Sequence, residues 1–363
     1  MAGRIKQVVN KYERHLSAGA LIVGFVFDSL TLQRIDTIWG YISLVVYLTI
    51  AATGIAILTA YEGGRLRGAW FDRMASFLPI IIQFVFGGLF SGFLVYYFRS
   101  ATVSVNWPFI LTLVLLLVGN EMFRKYYKRM LFNLGMLSFC VMSFAIFYVP
   151  ILVGRIGDDV FAMSGFASLG LIAGFVVILR TLAPKRMKEI QRLLVATIAI
   201  IYGLITAFYF LNVIPPLPLS MKVAEVYHSV SRSGMEYTAQ AEHKPSTLRT
   251  LRSFSFRRII HVDEGKPVYF YSAIFAPTNL SSDIVHVWQQ YNEVSEAWVT
   301  RSRIQFSIFG GREDGYRGYS YLSNPGAGKW RVRVETSRGK VIGIARFTIE
   351  RVGSTPELTT VQL

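Results

Sequence analysis

QRLLVATIAIIYGLITAFYFLNVIPPLPLS, residues 191–220, joins two kinds of chain. Residues 191–213 are apolar enough, and long enough, to cross the hydrocarbon core of a bilayer as a helix, which takes roughly 20 residues. Pro215, Pro216 and Pro218 then end any helix and impose an extended exit. The chain before this stretch is nearly continuously apolar, whereas the chain after it is short-patterned, alternating and basic.

Upstream, further runs of the same kind cover residues 16–33, 38–60, 75–98, 103–122, 131–153 and 161–182. With 53% hydrophobic and only 17% charged residues among 363, and a mean hydropathy of +0.42, the chain is too apolar for an ordinary soluble protein. Seven transmembrane helices are expected over residues 16–213. The first run is short and contains Asp28, but a second apolar run comes within a few residues and no small-residue cleavage pattern intervenes, so it reads as retained. Residues 1–15 place Ile5, Val8, Val9 and Tyr12 at helical spacing among Arg4, Lys6, Lys11 and Arg14, as an interfacial basic helix does.

Basic loops set the expected orientation. With the N-terminus in the cytoplasm, the inner segments carry sixteen Lys and Arg and the short outer loops only Arg34, Arg99 and Arg155. The positive-inside rule therefore puts residues 214–363 outside the membrane. The net charge of +16 divides into +10 before residue 214 and +6 after it. Topology and anionic lipid headgroups account for most of that excess, so nucleic acid is not an expected partner.

Small residues four apart, Gly88 and Gly92 beside Gly87 and Ser91, and again Gly170 and Gly174, are expected to be seams of close helix packing. Polar positions within the spans are few: Asp28, Gln83, Glu121 and Asn133. They are too sparse for a proton relay, but were they to converge on one cavity, a transporter or lipid-processing site within the bundle would be implied. No lysine in the last span offers a retinal Schiff base, and the cytoplasmic loops hold no phosphate-binding loop.

Downstream, residues 214–265 read as an exit linker with a first strand, and residues 266–351 as a series of short β-rich runs broken by PTNLSS, GGRED, NPGAG and SRG. In GKWRVRVETS, Trp330, Val332 and Val334 alternate with Arg331, Arg333 and Glu335, as a sheet with one wet face requires. Six or seven such strands predict an immunoglobulin-like β-sandwich, with residues 352–363 as a tail. The expected fold class is thus an all-α membrane bundle followed by an all-β sandwich.

Several motifs together carry a resemblance: His286-Val287-Trp288, WVTRSRI at 298–304, GGREDGYRGYS at 310–320 and the glycine-punctuated run from Gly328 to Gly343. In combination they resemble the bacterial membrane-protein family known as domain of unknown function 2914. ERHLSAGALIVGFVFDSLTLQRID and IPPLPLS resemble its longer, multi-span members. The resemblance implies a bacterial inner membrane and a periplasmic β-domain. It implies no activity.

Chemistry-bearing patterns are scarce. The one cysteine, Cys140, lies in an apolar run, and His228, His243, His261 and His286 are spaced like no metal signature, so neither metal nor cofactor is expected. No G-x-S-x-G elbow occurs, and Asp283, Glu293, Glu296, Glu313 and Asp314 fall at loop or strand-end positions. The stronger surface pattern is arginine among aromatics: Arg301, Arg303, Arg317, Tyr319, Arg331 and Arg333, with His286 and Trp288 beside them. Guanidinium and phenol groups suit planar anions, sugars or a protein partner. The expected function is non-enzymatic: an envelope protein in contact with membrane lipids, presenting a module to an envelope protein, a glycan or an anionic lipid headgroup.

Overall fold

A computed structural model describes residues 38–363 except 101–102, 123–125, 127–128, 216–217, 235, 243–257, 279, 313 and 355. The basic segment 1–15, the first expected span and Asp28 lie outside the described residues. Two compact units divide the chain, a helical one ending at Ile214 and a β-unit running from Pro215 to Leu363.

Among the described residues, six helices form the first unit: α1 (Ile38–Glu62), α2 (Ala69–Ser100), α3 (Val103–Met122), α4 (Met130–Val153), α5 (Asp158–Leu182) and α6 (Pro184–Phe210). They cover the six remaining apolar runs, and five are long and apolar enough to cross a membrane. α2 continues unbroken through Pro79, which spanning helices tolerate when neighbours re-satisfy the freed carbonyl. Of the expected Gly88–Gly92 seam, close approach is seen at Gly88 and at Gly87 beside it. A Cβ at Gly88 would sit 2.9 Å from the Tyr47 ring of α1, and one at Gly87 would sit 3.0 Å from Asn120 Nδ2 of α3. Among the described residues Gly170 and Gly174 make no such seam, since a Cβ added at either would meet no heavy atom within 4 Å.

Buried amides fix the helix ends. Gln83 Nε2 donates to the Asn120 carbonyl at 3.4 Å, and Asn120 Nδ2 donates back to the Gln83 carbonyl at 3.1 Å. Asn106 Nδ2 donates to the carbonyls of Asn212 (3.2 Å) and Val213 (2.9 Å), just beyond the C-terminus of α6. Arg186 and Glu62 pair between α6 and α1.

Among the described residues, eleven strands build the second unit: β1 (Ser220–Tyr227), β2 (Ser229–Ser233), β3 (Glu236–Glu242), β4 (Arg258–Val262), β5 (Val268–Phe275), β6 (Ser281–Asn292), β7 (Ala297–Phe309), β8 (Tyr316–Leu322), β9 (Gly328–Thr336), β10 (Val341–Arg351) and β11 (Leu358–Gln362). They form three sheets, ordered β4-β10-β9-β6-β7, β1-β5-β8 and β11-β3-β2. β5 explains the layering. Val268, Phe270 and Ile274 pack into one core with Trp288, Trp330, Val332 and Phe347 of the five-stranded sheet. Tyr271 and Ala273, pointing the other way, join Tyr237, Ala239 and Ala241 of β3 in a second core. β5, the central strand of the middle sheet, is therefore buried on both faces, and the β-unit has three sheets where a two-layer immunoglobulin-like sandwich is expected.

That third sheet is where expectation and structure part. β2, β3 and β11 are short and polar, and β11 lies in the segment read as a tail, where Leu358–Gln362 pairs antiparallel with Thr238–Glu242. Only Tyr237, Ala239 and Ala241 of β3 point inward, a weak apolar signal that pairing, rather than propensity, turns into a strand. Between β7 and β8 the turn needs glycine: a Cβ at Gly310 would stand 1.7 Å from the Pro277 carbonyl oxygen, and Gly315 has φ +86°.

Candidate functional site

The outer face of the five-stranded sheet is built by pairing. Val285, Val287 and Gln289 of β6 stand opposite Glu335, Arg333 and Arg331 of β9. Arg331 in turn stands opposite Arg346 of β10, and Arg303 of β7 opposite Val287. Four arginines thus share one face. Val287, between Arg303 and Arg333, is only 1% exposed, as expected beneath two long arginine stems.

A β-bulge in β7 completes the face. The register shifts between Trp288 and Gln289, so that Thr300 pairs with Gln289 and Trp298 with Tyr291. Simple alternation along β7 puts Trp298 on the side opposite Arg303; the extra residue brings it onto the same face. The guanidinium of Arg331 lies over the Trp298 ring, 4.3 Å from its centroid. Its Nε donates to Gln289 Oε1 at 2.7 Å. Tyr291 meets Trp298 edge-on at 5.3 Å, and Lys329 Nζ sits 5.5 Å above the Tyr291 ring. Cations and aromatic rings alternate across three strands.

Among the described residues, two carboxylates answer these cations: Glu293 accepts from Lys329 Nζ at 3.0 Å, and Glu335 lies among the arginines. Glu335, 4% exposed, accepts from Arg333 at 2.7 Å and lies 3.9 Å from Arg303. Burial pushes its carboxyl above the usual range against the pull of Arg333, Arg303 and Arg331. Arg331 is held below the usual guanidinium value by burial and by the like charges of Arg333 and Arg346. Like charges directly opposite on neighbouring strands destabilise a sheet. An anion delivered to this face would relieve that repulsion.

The other expected site residues separate. Arg317 and Tyr319 lie on β8 in the middle sheet, where Tyr319 packs 6.4 Å from Tyr237 and 6.1 Å from Tyr269 and Arg317 lies 3.7 Å from Asp314. They are not part of the arginine face. Arg301 donates its Nε to Gln290 Oε1 at 3.1 Å beside the bulge. His286 and Trp288 leave the surface set altogether, because both are 0% exposed and point into the core.

His286 instead links two sheets. Ser272 Oγ of β5 lies 2.9 Å from its Nε2 and Ser320 Oγ of β8 lies 2.9 Å from its Nδ1. Trp288 Nε1 donates to the same Ser320 oxygen at 2.9 Å. The ring sits edge-on between Phe270 and Phe306. Burial pulls the imidazole down to about 3, so it is neutral and each ring nitrogen has one hydroxyl partner. The Ser272–His286 distance suits a nucleophile and its base, but with both residues 0% exposed no substrate can reach it.

A second histidine cluster has no sequence signature. Glu242 is reached by His228 Nε2 at 3.0 Å, His261 Nδ1 at 3.0 Å and the His261 backbone N–H at 2.7 Å. Burial pushes its carboxyl upward, but these hydrogen bonds prevail and hold it below its usual range. Among the described residues, no group of three or more His, Cys, Asp or Glu could hold a metal ion.

In the helical unit, Gln83 is committed to Asn120, Asn133 is buried within α4, and the side chain of Glu121 lies outside the described residues. A cavity of about 420 Å³ is lined chiefly by Leu116, Leu131, Phe132, Phe139 and Ile201, with Arg129 the one charged lining residue among the described residues. Neither Gln83 nor Asn133 lines it.

Residues 281–349, from β6 into β10, match the family described as protein of unknown function (DUF2914). The arginine face lies within that match. No curated protein matches the chain. Among solved structures, the Pseudomonas fluorescens alkylpurine DNA glycosylase AlkC bound to DNA containing an abasic site analog aligns at 9% identity, over 86% of this chain and 98% of that one. Its TM-score of 0.21 is too low to carry an argument about fold or function.

Proposed function

We propose that the chain is an integral protein of a bacterial inner membrane, with its N-terminus in the cytoplasm, whose β-unit stands in the periplasm and binds an acidic partner without catalysis. The observation that carries the binding reading is the facing pair Arg331 and Arg346, with Arg333 and Arg303 on the same face and Glu335 as the buried counter-charge. Guanidinium groups held in place by an aromatic ring and an amide are pre-organised for carboxylate or phosphate. The distribution of basic loops supports the orientation.

The acidic group could belong to an envelope polypeptide, a glycan or a lipid headgroup. To separate these, the full-length protein is extracted in native membrane patches, and retained lipids, glycans and proteins are compared by mass spectrometry with those of the Arg331→Glu/Arg346→Glu variant. A species lost from the variant identifies the class of partner. Identical inventories would refute binding at this face.

A further inference from the structure

β7 is the last strand of its sheet: β6 pairs with it along one side, and no described strand lies along the other. It is thirteen residues long, longer than most strands, and contains neither proline nor lysine. From Ser302 to Phe309 its register against β6 is unbroken, a straight edge of roughly 27 Å at about 3.4 Å per residue. An edge of this kind presents a row of unpaired N–H and C=O groups that an extended chain can complete.

Two occupants can be weighed by charge. If β7 paired antiparallel with a second copy of itself about its midpoint, Arg303 would face Arg303 of the copy. A slide of two residues would set Arg301 against Arg303, and parallel in-register pairing would set each arginine against its own copy. Like charges so placed destabilise the pairing. Both arginines are exposed, and Arg303 is countered only by Glu335 at 3.9 Å, which Arg333 already holds more closely. An acidic strand meets neither obstacle.

We infer that β7 accepts an extended acidic segment of another protein as a sixth strand, its main chain hydrogen-bonded to the β7 edge from Ser302 to Phe309 and its carboxylates beside Arg303 on the arginine face. This deepens the reading of the arginine face and rests on it, adding the form of the partner. Backbone pairing supplies affinity, and the arginines select the charge.

The test uses full-length protein in nanodiscs of neutral lipid and a fluorescent nine-residue peptide alternating Glu and Thr. Two further peptides are N-methylated at every second residue, one in each frame, so that only one frame loses the N–H groups facing β7. The parent peptide is expected to bind, one methylated frame to bind about ten-fold or more weakly, and the other to match the parent. If both frames bind like the parent while Arg331→Glu/Arg346→Glu abolishes binding, the arginine face stands and strand addition is overturned. If the peptide does not bind but inorganic polyphosphate does, the occupant is not a polypeptide and the inference is likewise overturned. If neither probe binds, both readings fail.

Discussion

Arg331 and Arg346 stand directly opposite each other on adjacent antiparallel strands, with no acidic residue between them in the pairing. Among the described residues, the one buried carboxylate on the face, Glu335, sits four residues from Arg331 along β9 and is occupied by Arg333 and Arg303. Removing one partner of the repelling pair relieves the fold. Arg346→Gln is expected to stabilise the β-unit by a few tenths of a kcal/mol while weakening the acidic probe, a trade of stability against binding readable from urea melts and titrations on one preparation.

Trp298 holds Arg331 in place. Trp298→Leu keeps an apolar side chain but removes the ring under the guanidinium, at a cost of about 0.5–1 kcal/mol at this half-exposed site. Binding of an acidic probe should weaken in step. Unchanged binding would mean that Arg331 needs no platform.

His286 gives the β-unit a pH dependence of defined sign. Unfolded, its imidazole titrates near 6.5, whereas in the fold it takes up a proton only near 3. Between those values the unfolded chain binds more protons, so stability is full above about pH 6.5 and falls as pH drops toward 3, by up to about 1.4 kcal/mol per pH unit. His286→Gln, which keeps a donor and an acceptor, should lack that component, so that the wild-type and variant stability curves diverge between about pH 6.5 and 3. Parallel curves would show that His286 does not titrate on unfolding.

Ser320 serves two partners at once. Ser320→Ala leaves His286 Nδ1 and Trp288 Nε1 buried without their hydroxyl and should cost about 2–5 kcal/mol, against about 1–3 for Ser272→Ala, which strands one group. Equal losses would show that the Trp288 bond contributes nothing.

Much of this architecture is legible in the sequence, because hydrophobic length and strand alternation are strong local signals. The six described helices fall on apolar runs, and Trp330, Val332 and Val334 point inward with Arg331 and Arg333 outward. What the sequence conceals depends on pairing. The bulge that brings Trp298 beside Arg331 is a property of β6 and β7 together. Arg317 and Tyr319 look like neighbours of the other arginines but belong to another sheet, and His286 lies on the core side of a strand whose opposite face is also buried. Glu242 draws His228 and His261 together across fourteen and nineteen residues of chain, which no spacing rule anticipates.

Orientation can be read from one residue. Val294, in the β6–β7 turn, is 97% exposed, and the single native cysteine, Cys140, is buried. In intact spheroplasts, Val294→Cys should react with a membrane-impermeant maleimide without permeabilisation. Labelling that requires permeabilisation would place the β-unit in the cytoplasm.

The central claim, that the arginine face binds an acidic partner, is tested most directly by the binding isotherm of fluorescent polyglutamate with full-length protein in neutral nanodiscs, at low and high salt, for wild type and Arg331→Glu/Arg346→Glu. The account predicts saturable binding that weakens with salt and falls about ten-fold or more in the variant. Superimposable isotherms for the two proteins would contradict it.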